Sequence, residues 1–258
     1  MTGHAAGSTR ARVVIRSLGV AALASCIVAA AACSDDTSAS DLSDPRGIDA
    51  QMDAPGQPAT PPASIDKVTI AGDSISVGLG SAMREAASDD LTVKVIGQVG
   101  SGLARPDDFD WPDRLRELAR DYPPDVLVFS LSSNDAQDLV DTDGEVVARL
   151  KDDAAWDAEY SARLAASFDA FADTATTVLW VGHVRTEKDT VGLTNRHIQR
   201  LAAQVASTRP WVVVDDLATL LDTGDEVADD CLVPDGLHLS TKCLGSAAEQ
   251  LLRSPPLG

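Results

Sequence analysis

Five short Val- and Ile-rich runs, separated by stretches of helical periodicity, constrain this chain more than any other feature. Residues 67–71, 91–96, 125–131, 177–182 and 211–215 predict strands, with branched apolar side chains in runs too short for buried helices. Residues 76–87, 112–121, 156–173 and 193–208 predict amphipathic helices between them, and 241–253 a last helix after a long loop. Strict alternation of this kind predicts an α/β protein. The expected form is a three-layer α/β/α sandwich around a central, mainly five-stranded parallel sheet. In a parallel sheet all strand-to-helix loops open at one edge, so residues distant in sequence can meet there.

The domain so defined runs from 65 to 258. Ahead of it, Arg10, Arg12 and Arg16 form a basic segment, Leu18 to Ala32 is apolar, and Ala30-Ala31-Ala32-Cys33 closes the run before Ser34-Asp35-Asp36. Residues 1–33 are expected to be a signal peptide. Small residues directly before a cysteine resemble the bacterial lipobox, which implies lipidation of Cys33 and a protein held outside the cytoplasm on the bacterial cell membrane. Ala30 stands where that motif usually has leucine. Residues 34–64 are rich in Asp, Ser, Ala, Gly and Pro, with little to bury, and predict a disordered tether. The formal net charge is −19, and loss of the leader's three arginines makes it more negative. That balance excludes nucleic acid as a natural partner and leaves a lipid anchor, not electrostatic docking, as the route to a membrane. A monomer is expected.

Three strand-to-helix loops carry unusual residues. The first strand runs into Gly72-Asp73-Ser74 and a helical pattern. Alone, this tripeptide reads as a turn with Asp73 or Ser74 capping a helix. After the second strand comes Gly100-Ser101-Gly102, and after the third Ser132-Ser133-Asn134-Asp135. The long loop before the last helix holds Asp235 three residues before His238, across a glycine. Serine needs a base to act as a nucleophile, and the domain offers His183, His197 and His238. His197 lies in a helical pattern beside Arg196 and Arg200 and reads as a solvated residue. His183 follows the fourth strand and can line the cleft or close the strand. For His238, a carboxylate at Asp235 can fix one ring nitrogen and leave the other free for Ser74. Backbone N–H groups at Gly100 or Gly102 and the amide of Asn134 are candidate donors to an oxyanion.

Taken in order, Gly72-Asp73-Ser74, the glycine after the second strand, Asn134-Asp135 and Asp235-x-x-His238 resemble the SGNH (GDSL-type) hydrolase superfamily. The resemblance covers residues 67 to about 252. It implies a flavodoxin-like fold, with Ser74 as nucleophile, His238 as base and Asp235 as its partner. It also implies an oxyanion hole of the Ser74 N–H, Gly102 (Gly100 as the alternative) and Asn134. The stretch Ser101 to Asp107 with Asp110-Trp111-Pro112 is similar to a largely bacterial branch of that superfamily. Two departures stand out: Ser132 replaces the family glycine of the third block, and Ile75 the leucine after the nucleophile.

The expected activity is extracytoplasmic hydrolysis of a carboxylic ester or O-acetyl group, on a small ester or an acylated envelope glycan or lipid. Acyl transfer to a sugar hydroxyl, or non-catalytic glycan or lipid binding, are the alternatives. No metal or other cofactor is expected. Cys231 and Cys243 bracket Asp235 and His238, and in an oxidising compartment they are expected to form a disulfide that steadies the pair. Trp111, beside Arg105, is either a wall for substrate or a buried packing residue.

Overall fold

The computed structural model describes residues 62–183, 189–221 and 229–258. The leader, Cys33 and the tether through residue 61 lie outside the described residues. Five strands form one parallel sheet: β1 (Lys67–Gly72), β2 (Thr92–Gly97), β3 (Val126–Ser130), β6 (Thr177–Gly182) and β7 (Val212–Asp216), in the spatial order β2-β1-β3-β6-β7. Register is continuous across the middle, with Ile70 opposite both Val95 and Val128 and Val128 opposite Leu179. Sheet order reverses direction between β1 and β3, and such a switch point is where open α/β sheets form a crevice. The α/β/α class expected from the alternation is the one observed.

The side-chain period of two sorts the strands onto two cores. Leu127, Phe129, Val178 and Trp180 point to one face, under α2 (Trp111–Asp121), α3 (Asp153–Asp169) and α4 (Asp189–Ala206). Val126, Val128, Leu179 and Val181 point to the other, under α1 (Ser74–Ala86), the short α5 (Leu217–Leu220) and α6 (Thr241–Arg253). β1 and β3 are buried on both faces, which is why they read as unbroken apolar runs. The first core is aromatic: Trp111, Phe129, Trp180 and Phe168 meet at tilted or edge-on angles with centroids 5.6–6.0 Å apart.

Helix boundaries follow from caps. Asp73, Asp110, Asp152 and Ser240 each accept a first-turn N–H at the start of α1, α2, α3 and α6. α3 therefore begins at Asp153, three residues before the apolar pattern suggested, and α4 begins at Asp189, four residues before. A feature the sequence reading lacked is an antiparallel hairpin of β4 (Leu139–Val140) and β5 (Val146–Ala148) between β3 and α3. Asp141 shapes its turn by accepting from the N–H groups of Asp143 and Glu145, and Gly144 occupies positive φ.

Candidate active site

β1 delivers Ser74 to the carboxyl edge of the sheet, at the first position of α1. Gly72 makes the turn possible. Its φ is +140°, and a Cβ there would lie 1.8 Å from the Ser130 carbonyl oxygen of the neighbouring strand. Asp73 then turns inward, is almost wholly buried, and accepts from the Ile75 N–H at 2.9 Å. Ser74 is left facing outward.

His238 arrives from the opposite end of the chain. Its Nε2 lies 2.8 Å from the Ser74 Oγ, across 164 residues of sequence. Its Nδ1 lies 2.7 Å from the Asp235 Oδ2. The other oxygen of Asp235 accepts from the backbone N–H groups of Leu237 and His238 at 2.8 and 3.0 Å. These backbone donors, with the imidazole, hold the Asp235 carboxyl well below the usual carboxylate range. An ionised Asp235 is an acceptor only, so Nδ1 carries the hydrogen and Nε2 presents its lone pair to the serine hydroxyl. The loop is fixed on both sides. Cys231 and Cys243 are joined by a disulfide with Cα atoms 5.4 Å apart, and the Ser240 N–H donates to the Cys231 carbonyl.

The donor side is held by one carboxylate. Asp135 is fully buried, accepts from the N–H groups of Leu103 and Ala104 at 3.2 and 2.8 Å, and accepts from the Tyr160 hydroxyl at 2.7 Å. A Cβ at position 102 would lie 2.0 Å from the Asp135 Oδ1, so only glycine lets this carboxylate close onto the loop. At Gly100 a Cβ would meet nothing within 4 Å, and its glycine serves a positive φ of +80°. Packing thus distinguishes the two glycines: Gly102 is set against Asp135, whereas Gly100 answers to its backbone conformation. The Asn134 Nδ2 donates one hydrogen to the Ser101 carbonyl at 2.8 Å, which leaves its second hydrogen available. Arg163 of α3 completes the brace, donating to the carbonyls of Leu103, Ala104 and Val140. Burial pushes Asp135 up to about 6, against the opposing pull of the Ala104 N–H and the Tyr160 hydroxyl.

The structure therefore brings Ser74, His238 and Asp235 into one hydrogen-bonded line, and ties Asn134 to the Gly102 loop. Trp111 is buried, its Nε1 donating to the Ser101 Oγ, so of its two readings the packing one is observed. Arg105 pairs with Asp107 and Asp108. His197 is held between Asp157 at 2.5 Å and Arg200 at 2.8 Å, away from the serine line. No sequence pattern marks Tyr160 or Arg163 for these contacts, and the one signal for Asp135 is an acidic residue directly after Asn134. Ser132, in the place of the family glycine, is buried with no partner for its Oγ among the described residues. Among the described residues no cluster of three or more His, Cys, Asp or Glu side chains can hold a metal ion.

This arrangement sits on the fold of the SGNH hydrolases. A GDSL-family lipolytic protein from Veillonella parvula matches with a TM-score of 0.53 at 14% identity, covering 73% of this chain and 97% of that one. An acetylxylan esterase from Geobacillus stearothermophilus matches with a TM-score of 0.53 at 17% identity, covering 75% and 95%. The catalytic domain of a peptidoglycan O-acetyltransferase from Streptococcus pneumoniae matches with a TM-score of 0.50 at 11% identity, covering 74% and 92%. Within that fold, the chain belongs to the family described as "Protein of unknown function (DUF459)", which matches residues 67–237. His238 lies one residue past the end of that match. No curated protein matches the chain.

Proposed function

We propose that the protein is a serine esterase working outside the cytoplasm, cleaving a carboxylic ester or O-acetyl group through an acyl-enzyme on Ser74. One observation carries the reading: the continuous line from the Ser74 Oγ through His238 to Asp235, with both imidazole nitrogens engaged at 2.7–2.8 Å. In the first step the Ser74 Oγ attacks the ester carbonyl while its proton passes to the His238 Nε2. The imidazolium so formed is stabilised and oriented by Asp235. Negative charge that develops on the carbonyl oxygen meets the N–H groups of Ser74 and Gly102 and the second hydrogen of the Asn134 amide. Collapse breaks the C–O bond to the leaving alcohol, which takes the proton from Nε2. Water repeats the sequence with His238 as base and frees the carboxylic acid. A sugar hydroxyl in place of that water would make the protein an O-acyltransferase, and the resemblance to a peptidoglycan O-acetyltransferase keeps that as the second reading.

The disulfide supports an oxidising compartment, and lipidation of Cys33 is proposed as the anchor. The test is hydrolysis of p-nitrophenyl esters from acetyl to long-chain acyl, with fluorophosphonate labelling alongside. Wild type should be labelled and should turn over, and Ser74→Ala should do neither. Asn134→Ala should keep a remnant 10²–10³-fold slower, the usual cost of about 3–4 kcal/mol for one oxyanion donor. Activity surviving in Ser74→Ala, or labelling at another serine, would refute the mechanism.

A further inference from the structure

Beneath the proposed nucleophile lies a second carboxyl–imidazole pair that the mechanism above does not use. His183, at the end of β6, is buried, and its Nδ1 lies 2.8 Å from the Ser133 Oγ. The Asn195 Nδ2 of α4 donates to that same Oγ at 3.3 Å, so the serine's hydrogen is directed to Nδ1. Nε2 must then carry the ring hydrogen. It faces the Asp73 carboxyl, 3.7 Å from Oδ1, which is beyond hydrogen-bond reach. Neither the His183 Nε2 nor the Asp73 Oδ2 has a hydrogen-bond partner among the described residues. Orphaned polar atoms of this kind are costly and rare in native interiors. Two of them here belong to the His183 imidazole and the Asp73 carboxyl, which approach to 3.7 Å, with Asp73 beside Ser74 in the chain.

We propose that His183 is a positioning residue for the Ser74 site, acting through Asp73 by offering its Nε2 hydrogen to the carboxyl that caps α1. The contact joins three loops: the β1 turn carrying Ser74, the β3 loop carrying Asn134 through Ser133, and the end of β6. Ionisation of Asp73 draws the Nε2 hydrogen in, and protonation lets it go. Asp73 is set for this: burial pushes it up to about 7, opposed by the N–H groups of Ile75, Ser76 and Ser132 and by the charge of His238. Asp73 in turn acts on the titratable groups near it, raising Asp135 of the β3 loop and Tyr160 of α3. His183 itself is driven down to about 3 by burial, so it serves as a neutral donor and the pair is not an ion pair at neutral pH.

The kinetic part of this inference rests on the esterase reading, whereas its tautomer and titration do not. The test uses the full-length protein as wild type, His183→Gln and His183→Leu, each checked for folding by thermal melting. Nitrogen-15 NMR of wild type should show His183 neutral with hydrogen on Nε2 from pH 5 to 8, and carbon-13 NMR should follow the Asp73 carboxyl. In His183→Leu the Asp73 titration should move upward, and kcat for p-nitrophenyl acetate should fall about tenfold, as expected for one lost donor to a charged group, with KM unchanged. His183→Gln, which keeps an N–H donor, should restore both. A hydrogen on Nδ1 in wild type overturns the proposal. So does a folded His183→Leu protein whose Asp73 titration and kcat match those of His183→Gln. If no turnover or labelling occurs at all, the esterase reading fails while the two NMR measurements still decide this one.

Discussion

Two Asp–His pairs adjoin Ser74, one through the His238 imidazole and one through Asp73 beside it in the chain, and burial makes them opposites. Asp235 and His238 keep side-chain exposures of 44% and 40%, whereas Asp73 and His183 keep 1% and 0%. At the rim, two backbone N–H groups and an imidazole stabilise a charge that water already solvates, so Asp235 stays ionised. Beneath it, removal from water dominates, so the carboxyl rises and the imidazole falls. The same two residue types thus give an exposed pair with an ionised carboxylate in one place and a buried pair whose charged forms are disfavoured in the other. Local environment, not residue identity, assigns the role.

The largest way to break that contrast is Asp235→Asn. An amide there can no longer hold the hydrogen on Nδ1, and kcat/KM for p-nitrophenyl acetate should drop by about 10⁴, the loss typical of a triad acid replaced by its amide. The fold and thermal midpoint should hardly move, because the pair is exposed. The buried carboxyls should do the reverse and act on stability. Asp73 rises from 3.8 to about 7 and Asp135 to about 6, so both bind protons more tightly folded than unfolded. Their contribution is fully present below pH 3.8 and is lost as pH rises through 6 to 7. Asp73→Asn should flatten the upper part of that loss, a difference on the order of 4 kcal/mol in urea denaturation between pH 4 and pH 8. A stability curve equally steep in wild type and variant would remove the distinction between the pairs. The smallest effect expected is reduction of Cys231–Cys243, a short loop worth about 3 kcal/mol at most on the chain-entropy account. Mild reductant should slow turnover by loosening His238 and leave the Asp73 titration unchanged.

The sheet was legible because β1 and β3 are buried on both faces, and such strands cannot avoid continuous apolar sequence. The serine line was legible because its members come from loops with distinctive short motifs. What escaped were features decided by burial across long separations. Asp135 shows no sign in sequence that it will be capped by Tyr160, and Arg163 none that it will grip Leu103 and Val140. The β4–β5 hairpin did leave a trace, since Asp143-Gly144 stands between Leu139-Val140 and Val146-Val147. Strands of two and three residues, with Val146 and Val147 half exposed, fall below the length at which alternation declares itself.

The 164 residues between Ser74 and His238 also set a schedule. During synthesis from the N-terminus, β1 and its turn emerge early and can pair with β2 and β3 while the rest of the chain is still being made. His238 stands in the loop just before α6, which packs beside α1 and carries Cys243, so its imidazole is made after all five strands of the sheet. The Ser74 hydroxyl therefore has no His238 imidazole beside it until that late segment has been made. On the reading proposed above, the contact that would activate the serine can form only once that segment has joined the strands made before it.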